Sequence, residues 1–278
     1  MSSRSPRPRA LTEVSAADWV VELVGEFGSR VRGLLPSGFE SYVRVLHPAW
    51  PTSAGAPDDR EPLPWEAVAA ITGARMHACV QFDALVGADR GEARDFEPVV
   101  GELPPTLVSA LCEVLGKHTA TPERCWFCLW DGYGWIAGSS SAAVLITTGA
   151  APGRAVDTPP AFPAEIMSGP RVSLPGRDYI LFEGPLAAAK ELGWRRGELL
   201  SDAYPELDFD PADFEPQSPN LFWPHDHSWC VATEIDLDST YVGGPQGLVD
   251  ALVDDPRFEA WPAQLDDRVD AGGDEINT

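Results

Sequence analysis

The chain has 278 residues, with 43 Asp and Glu against 20 Lys and Arg, and a formal net charge of −23. Hydrophobic residues at 44% and aromatics at 9% are enough for a packed core, so global disorder is excluded despite the charge. A mean hydropathy of −0.14, with no apolar run near the ~18 residues of a spanning helix, argues against a membrane protein, and a body this acidic repels phosphates, which argues against nucleic-acid binding.

Residues 1–10 are rich in Ser, Arg and Pro with no apolar stretch after them, and read as a disordered tail, not a secretory signal. Ser15 opens a helix with Asp18 in its first turn; Trp19, Val20, Leu23, Val24 and Phe27 share one face and Gly28 closes it. Phe39 to Leu46 reads as a strand and 48–62 as a loop; Pro64 starts a short helix carrying Trp65, Val68 and Ile71, ended by Gly73. The Pro104–Pro105 pair starts a third helix, lined by Leu107, Leu111, Val114 and Leu115 and ended by Gly116. Cys125 to Trp130 is an aromatic strand running into the turn Asp131-Gly132-Tyr133-Gly134, and Ala142 to Thr147 a β-branched one. The proline-rich stretches 149–176 and 201–220 read as long loops; between them lie a strand from Asp178 to Phe182 and a short helix from Pro185 to Leu192. Trp229 to Asp236 alternates like a half-buried strand, with Trp229, Val231, Thr233 and Ile235 on one face and Cys230, Ala232, Glu234 and Asp236 on the other. Gly243-Gly244 turns into a last helix carrying Leu248, Val249, Leu252 and Val253, and 263–278 reads as a loose acidic tail. Strands and helices mix without regular βαβ alternation. The expected fold is therefore α+β: a single domain over 11–262 with a mostly antiparallel sheet, flanking helices and long Pro-rich loops.

The charge is uneven. Residues 1–60 are neutral, 61–196 carry −5, and 197–278 hold twenty acids against Arg257 and Arg268, a net −18. Such a field keeps a protein soluble; it also steers a basic partner. The five cysteines, odd in number and in a chain too long for a disulfide framework, predict reduced thiols and a cytoplasmic location.

Three motifs invite chemistry. Ile235-Asp236-Leu237-Asp238-Ser239-Thr240 resembles the first motif of haloacid-dehalogenase-type phosphatases, in which the first Asp is the nucleophile and the second the general acid. That family needs a Lys downstream, and none follows Thr240. Cys125-Trp126-Phe127-Cys128 with His77-Ala78-Cys79 has the look of a zinc deaminase, but the position of the proton-shuttling Glu is Cys79. A strand over 125–130 puts Cys125 and Cys128 on opposite faces, so buried thiols are the expected state and no metal or cofactor is predicted. His225-Asp226-His227 precedes the alternating strand and offers two imidazoles but no certain third ligand. The densest feature is Pro219 to Trp229, where aromatics bracket polar residues. It reads as a recognition loop, with Trp223 and Trp229 as plugs of the core edge in the competing reading. The candidate binding residues are Trp223, His225, Asp226, Trp229, Glu234 and Asp236.

Gly38 to Pro48, Thr121 to Phe127 with Asp131 to Gly134, and Ser218 to Gly244 together resemble an actinobacterial family of unknown function, in which Arg is favoured where His227 stands here. The layout, acidic, α+β and Trp-rich with an aromatic strand before a Gly turn, is also similar to that of SUKH-type immunity proteins. The expected function is that of a non-enzymatic, immunity-like cytoplasmic protein that meets a basic protein through an acidic, aromatic surface. The alternative is a hydrolase-type enzyme using the carboxylates and His of 225–238.

Overall fold

The computed structural model describes residues 7–52, 61–87, 93, 95–138, 159–195 and 213–277. Its strands in chain order are β1 (Arg9–Ala10), β2 (Ser41–Leu46), β3 (Ala49–Pro51), β4 (Phe96–Pro98), β5 (Cys125–Trp130), β6 (Val172–Leu174), β7 (Arg177–Gly184), β8 (Gly193–Arg195), β9 (Phe214–Pro216), β10 (Leu221–Pro224), β11 (Cys230–Thr233), β12 (Ser239–Gly244) and β13 (Ala260–Ala263). Nine of them make one antiparallel sheet in the order β1-β7-β5-β10-β11-β12-β2-β13, with β6 also paired to β7. The α+β architecture expected from the sequence is the one observed.

The sheet is covered on both faces, which explains why its central strands β5, β10, β11 and β12 are buried almost throughout. On one face Cys125, Phe127 and Leu129 of β5 join Phe222, Val231, Val242 and Val43 from the neighbouring strands. Helices Pro105–Leu115 and Gln246–Val253 and the 3-10 helix Leu186–Glu191 lie over them. On the other face Trp126, Cys128, Leu221, Trp223, Cys230 and Tyr241 meet the 11–35 segment and the chain after Ala263. A third cluster, around Trp65, Phe82 and Phe96, packs beside β2. Each large side chain so buried contributes roughly 1.5–3 kcal/mol.

Helix Pro105–Leu115 starts as the proline pair predicts, with Pro105 where a missing N–H is harmless. Gly116 does not stop it: at φ −61° and ψ −21° the chain runs on into a 3-10 turn, Gly116–His118. Gly73, left-handed at φ 76°, does end helix Trp65–Thr72. The first helix is shorter than its stripe suggests, Asp18–Leu23 after a 3-10 turn at Ser15–Ala17, because Val24 is extended.

Six further expectations need correction. The 229–236 segment is not a half-buried strand. β11 ends at Thr233 and is buried on both faces, Cys230 and Ala232 included, because the second layer covers them. The 219–229 stretch is not one loop: its 221–224 part is β10, four buried residues between β5 and β11, and the turn follows it. The chain after 263 is not a loose tail. Val31 N donates to Asp267 O, Arg32 N to Leu265 O and Val269 N to Ser29 O, so the N- and C-terminal parts zip together. Arg9 and Ala10 likewise belong to the sheet, paired with Glu183 and Phe182. Within 159–176, helix Ala164–Met167 and β6 replace the expected loop, and Arg171 donates to the carbonyls of Ile166, Met167 and Gly169. In the second expected loop, 214–216 is β9. The strand expected at Ala142 to Thr147 and the span 201–212 lie outside the described residues.

Candidate functional site

The residues singled out in the sequence fall at opposite ends of the β10–β11 hairpin. Trp223 is fully buried, edge-on to Trp19 (5.9 Å between ring centroids) and stacked on Trp126 (6.4 Å). Trp229 is equally buried on the other face, its indole N–H donating to Leu115 O at 3.2 Å. Both are core plugs; the expectation of an exposed aromatic loop does not hold for either. The turn between the two strands holds His225, Asp226 and His227. His227 has a left-handed backbone (φ 53°) and its ring stacks on Trp19 at 4.2 Å. Burial, then the charge of His225, lower its pKa. The Asp226 carboxylate accepts from Thr119 Oγ1, Ala120 N and Ser228 N. Burial pulls this carboxyl up, but those hydrogen bonds prevail and hold it below the usual range. The turn is fastened to the 119–121 segment.

At the far end, Glu234 and Asp236 share one arginine. Arg177 Nε donates to Glu234 Oε1 at 3.0 Å and Nη2 to Asp236 Oδ2 at 2.6 Å, while the guanidinium lies over Phe27 and Trp130. Glu234 Oε2 also accepts from Asp236 N. These carboxylates clamp the β11–β12 turn, and the imidazoles that a hydrolytic centre would need stand beyond the length of β11. The phosphatase motif fails on topology too: β11 lies between two antiparallel neighbours, whereas the motif belongs on a parallel strand. Nor does the sheet unite His77 and Cys79 with Cys125 and Cys128. His77 Nε2 bonds Asp274, and the carbonyl of Ala78 accepts from Arg44 of β2. β2 is four strand spacings, roughly 19 Å, from β5. Burial pushes the Cys125 thiol up to about 12 and Cys128 higher still. Among the described residues no three His, Cys, Asp or Glu side chains could share a metal ion.

What the sequence does not reveal is a polar network under the start of β12. Arg44, 2% exposed, donates from Nε to Ser239 Oγ (2.9 Å) and from Nη1 to Val80 O (2.6 Å), pairs with Asp238 at 3.5 Å, and lies over the Trp65 ring. Burial pushes the Asp238 carboxyl up and the Asp83 charge adds to this, against the pull of Arg44. Beside it His47 is wholly enclosed. Its Nδ1 faces the Val99 carbonyl at 2.7 Å, which can only accept, so the proton sits on Nδ1. Nε2 then accepts from Thr240 Oγ1 (2.9 Å), which in turn accepts from Thr233 Oγ1 (2.8 Å). Every member is satisfied.

Over this network opens a cleft of about 520 Å³ between the β11–β12 turn, the stretches 81–86 and 96–100, and 269–271. Asp83, Glu97, Asp236, Asp238 and Asp270 line it, with Phe82 and Phe96 among its apolar walls. Asp236, Asp238 and Asp270 are paired with Arg177, Arg44 and Arg268; Asp83 and Glu97 have no ion-pair partner among the described residues. The five carboxylates come from four separate stretches of chain, so no local motif announces them. Among the described residues no helix is long and apolar enough to cross a membrane. No known protein family, curated protein or solved structure matches the chain.

Proposed function

We propose that this is a non-enzymatic binding protein whose acidic cleft at the β11–β12 turn receives a basic segment of a partner protein. The observation that carries the reading is the cleft's lining: Asp83 and Glu97, without an ion-pair partner among the described residues, stand beside aromatic walls, and the set suits the alkyl stem and charged head of Lys or Arg. The hydrolase alternative loses support, since His225 and His227 stand apart from Glu234 and Asp236, and both carboxylates are engaged by Arg177. Five free thiols and the −23 charge fit a cytoplasmic protein that avoids nucleic acid, and an immunity-like role accords with this chemistry.

The test uses decalysine as probe in calorimetric titration. Asp83→Asn with Glu97→Gln is expected to weaken binding about tenfold at low salt, and added salt to weaken it further. Neutralising two exposed carboxylates outside the cleft, Glu123→Gln with Asp254→Asn, is the comparison. Equal losses in the two double variants would mean diffuse attraction to an acidic body and would overturn the cleft.

A further inference from the structure

Three arginines of this fold are held in one way, by a carboxylate and an aromatic ring together. Arg177 bonds Glu234 and Asp236 and lies over Phe27 and Trp130. Arg44 pairs with Asp238 over the Trp65 ring, and Arg124 with Glu183 over Trp126. The same two groups recur at the acidic cleft without a cation. Glu97, which lines it, has no ion-pair partner among the described residues. Its direct partner across the β3–β4 ladder is Trp50, so the two side chains share one face. Trp50 is 42% exposed, whereas Trp65 and Trp126 are buried. Asp83, equally unpaired, lines the cleft from the helix Phe82–Val86, next to Gln81. Gln81 also lines it and is 8% exposed. Its Nε2 donates to Cys79 O at 3.4 Å, while its Oε1 accepts from no group among the described residues and is not shut off from solvent.

We propose that the cleft selects arginine over lysine, through Glu97 with Trp50 on one wall and Asp83 with Gln81 Oε1 on another. The inference rests on the cleft reading above and adds to it the chemistry of the side chain received. A guanidinium is planar and weakly hydrated. It lies flat on an indole while its edge donates to a carboxylate, as Arg44 and Arg124 do within this chain. Its five N–H groups leave donors for a neutral amide oxygen after the carboxylate is served. A lysine ammonium is a compact, strongly hydrated point charge; two carboxylates suffice for it, and neither the exposed ring nor the Gln81 oxygen is needed. Trp50 and Gln81 therefore mark the difference between the two cations, and the unpaired carboxylates mark what they share.

Decaarginine and decalysine, equal in charge, are titrated calorimetrically into the full-length protein. Decaarginine is expected to bind at least about tenfold more tightly. Trp50→Leu keeps an apolar side chain and removes the ring; it is expected to weaken decaarginine about fivefold and decalysine less than about twofold. Gln81→Met keeps the volume and removes the oxygen, and is expected to weaken decaarginine about threefold with decalysine again little changed. The quantity read is the ratio of the two affinities, which a partly unfolded population of a variant leaves unaltered. Equal affinity of the unmodified protein for the two peptides, or a ratio that neither variant lowers, would overturn the selectivity. Asp83→Asn with Glu97→Gln separates this from the cleft itself. If that double variant weakens both peptides while the ratio is one, the cleft stands and its preference for arginine falls; if it weakens neither, both readings fall.

Discussion

Trp223 sits between Trp19 and Trp126 with no solvent contact, and its loss leaves a hole that two rigid indoles cannot close. Trp223→Ala is expected to lower the unfolding free energy by about 3–5 kcal/mol in a urea titration. A change below about 1 kcal/mol would show that the site collapses onto itself. The sequence singles out Trp223 but not its surroundings, because Pro219 and Pro224 give β10 the appearance of a loop. His47 makes a different commitment. Burial drives its pKa from 6.5 down to about 4, so the folded protein holds it neutral. Below pH 6.5 the unfolded chain takes up a proton that the folded one refuses, and stability falls as the pH drops toward 4, by at most about 3 kcal/mol. His47→Asn is expected to flatten that limb of the stability–pH profile in denaturant titrations between pH 7 and 4.5. An unchanged slope would assign the limb to other groups. Nothing around His47 in the sequence marks it, since its partners Val99 and Thr240 are brought to it from distant parts of the chain by the fold.

Elements differ in how plainly they are written. β5 is legible because six consecutive aromatic and apolar residues between turn signals leave few alternatives. β11 is only half legible: Glu234 and Asp236 continue the alternation past the real strand end at Thr233, since they belong to a turn held by Arg177. That turn rests on Gly101, whose N–H donates to Leu237 O. Gly101 is left-handed (φ 77°), and a Cβ there would lie 2.4 Å from Ile235 O. Gly101→Ala combines backbone strain with a backbone clash. It is expected to destabilise the protein by more than the roughly 1–2 kcal/mol of the left-handed conformation alone. The thermal midpoint checks this; a shift under a degree would mean that the turn gives way freely.

Over the whole molecule, the fold class follows from the mixture of short strands and helices, and the observed sheet agrees. The two layers that cover it do not follow. Strands buried on both faces lose the alternation that marks an outer face, and the 263–277 segment has too few apolar residues to declare itself. It is held instead by backbone pairing with 29–32 and by Asp274, whose carboxylate accepts from His77 Nε2 and from the amides of Gln81, Ile276 and Asn277. The acidic bias of the last third is visible as arithmetic. Its gathering with Asp83 and Glu97 into one cleft is visible only in three dimensions, because residues some 150 positions apart meet there.

The sheet's two borders bear on how copies of this chain treat one another. Along β7, the outer side is shared by β1, by β6 and by the amide of Leu11, which reaches Leu181 O. At the opposite border β13 is four residues long and has Pro262 in its interior, which supplies no amide. A free strand meeting either border finds little to template on, so propagation from chain to chain through strand addition is blocked at both ends of an otherwise strongly apolar sheet.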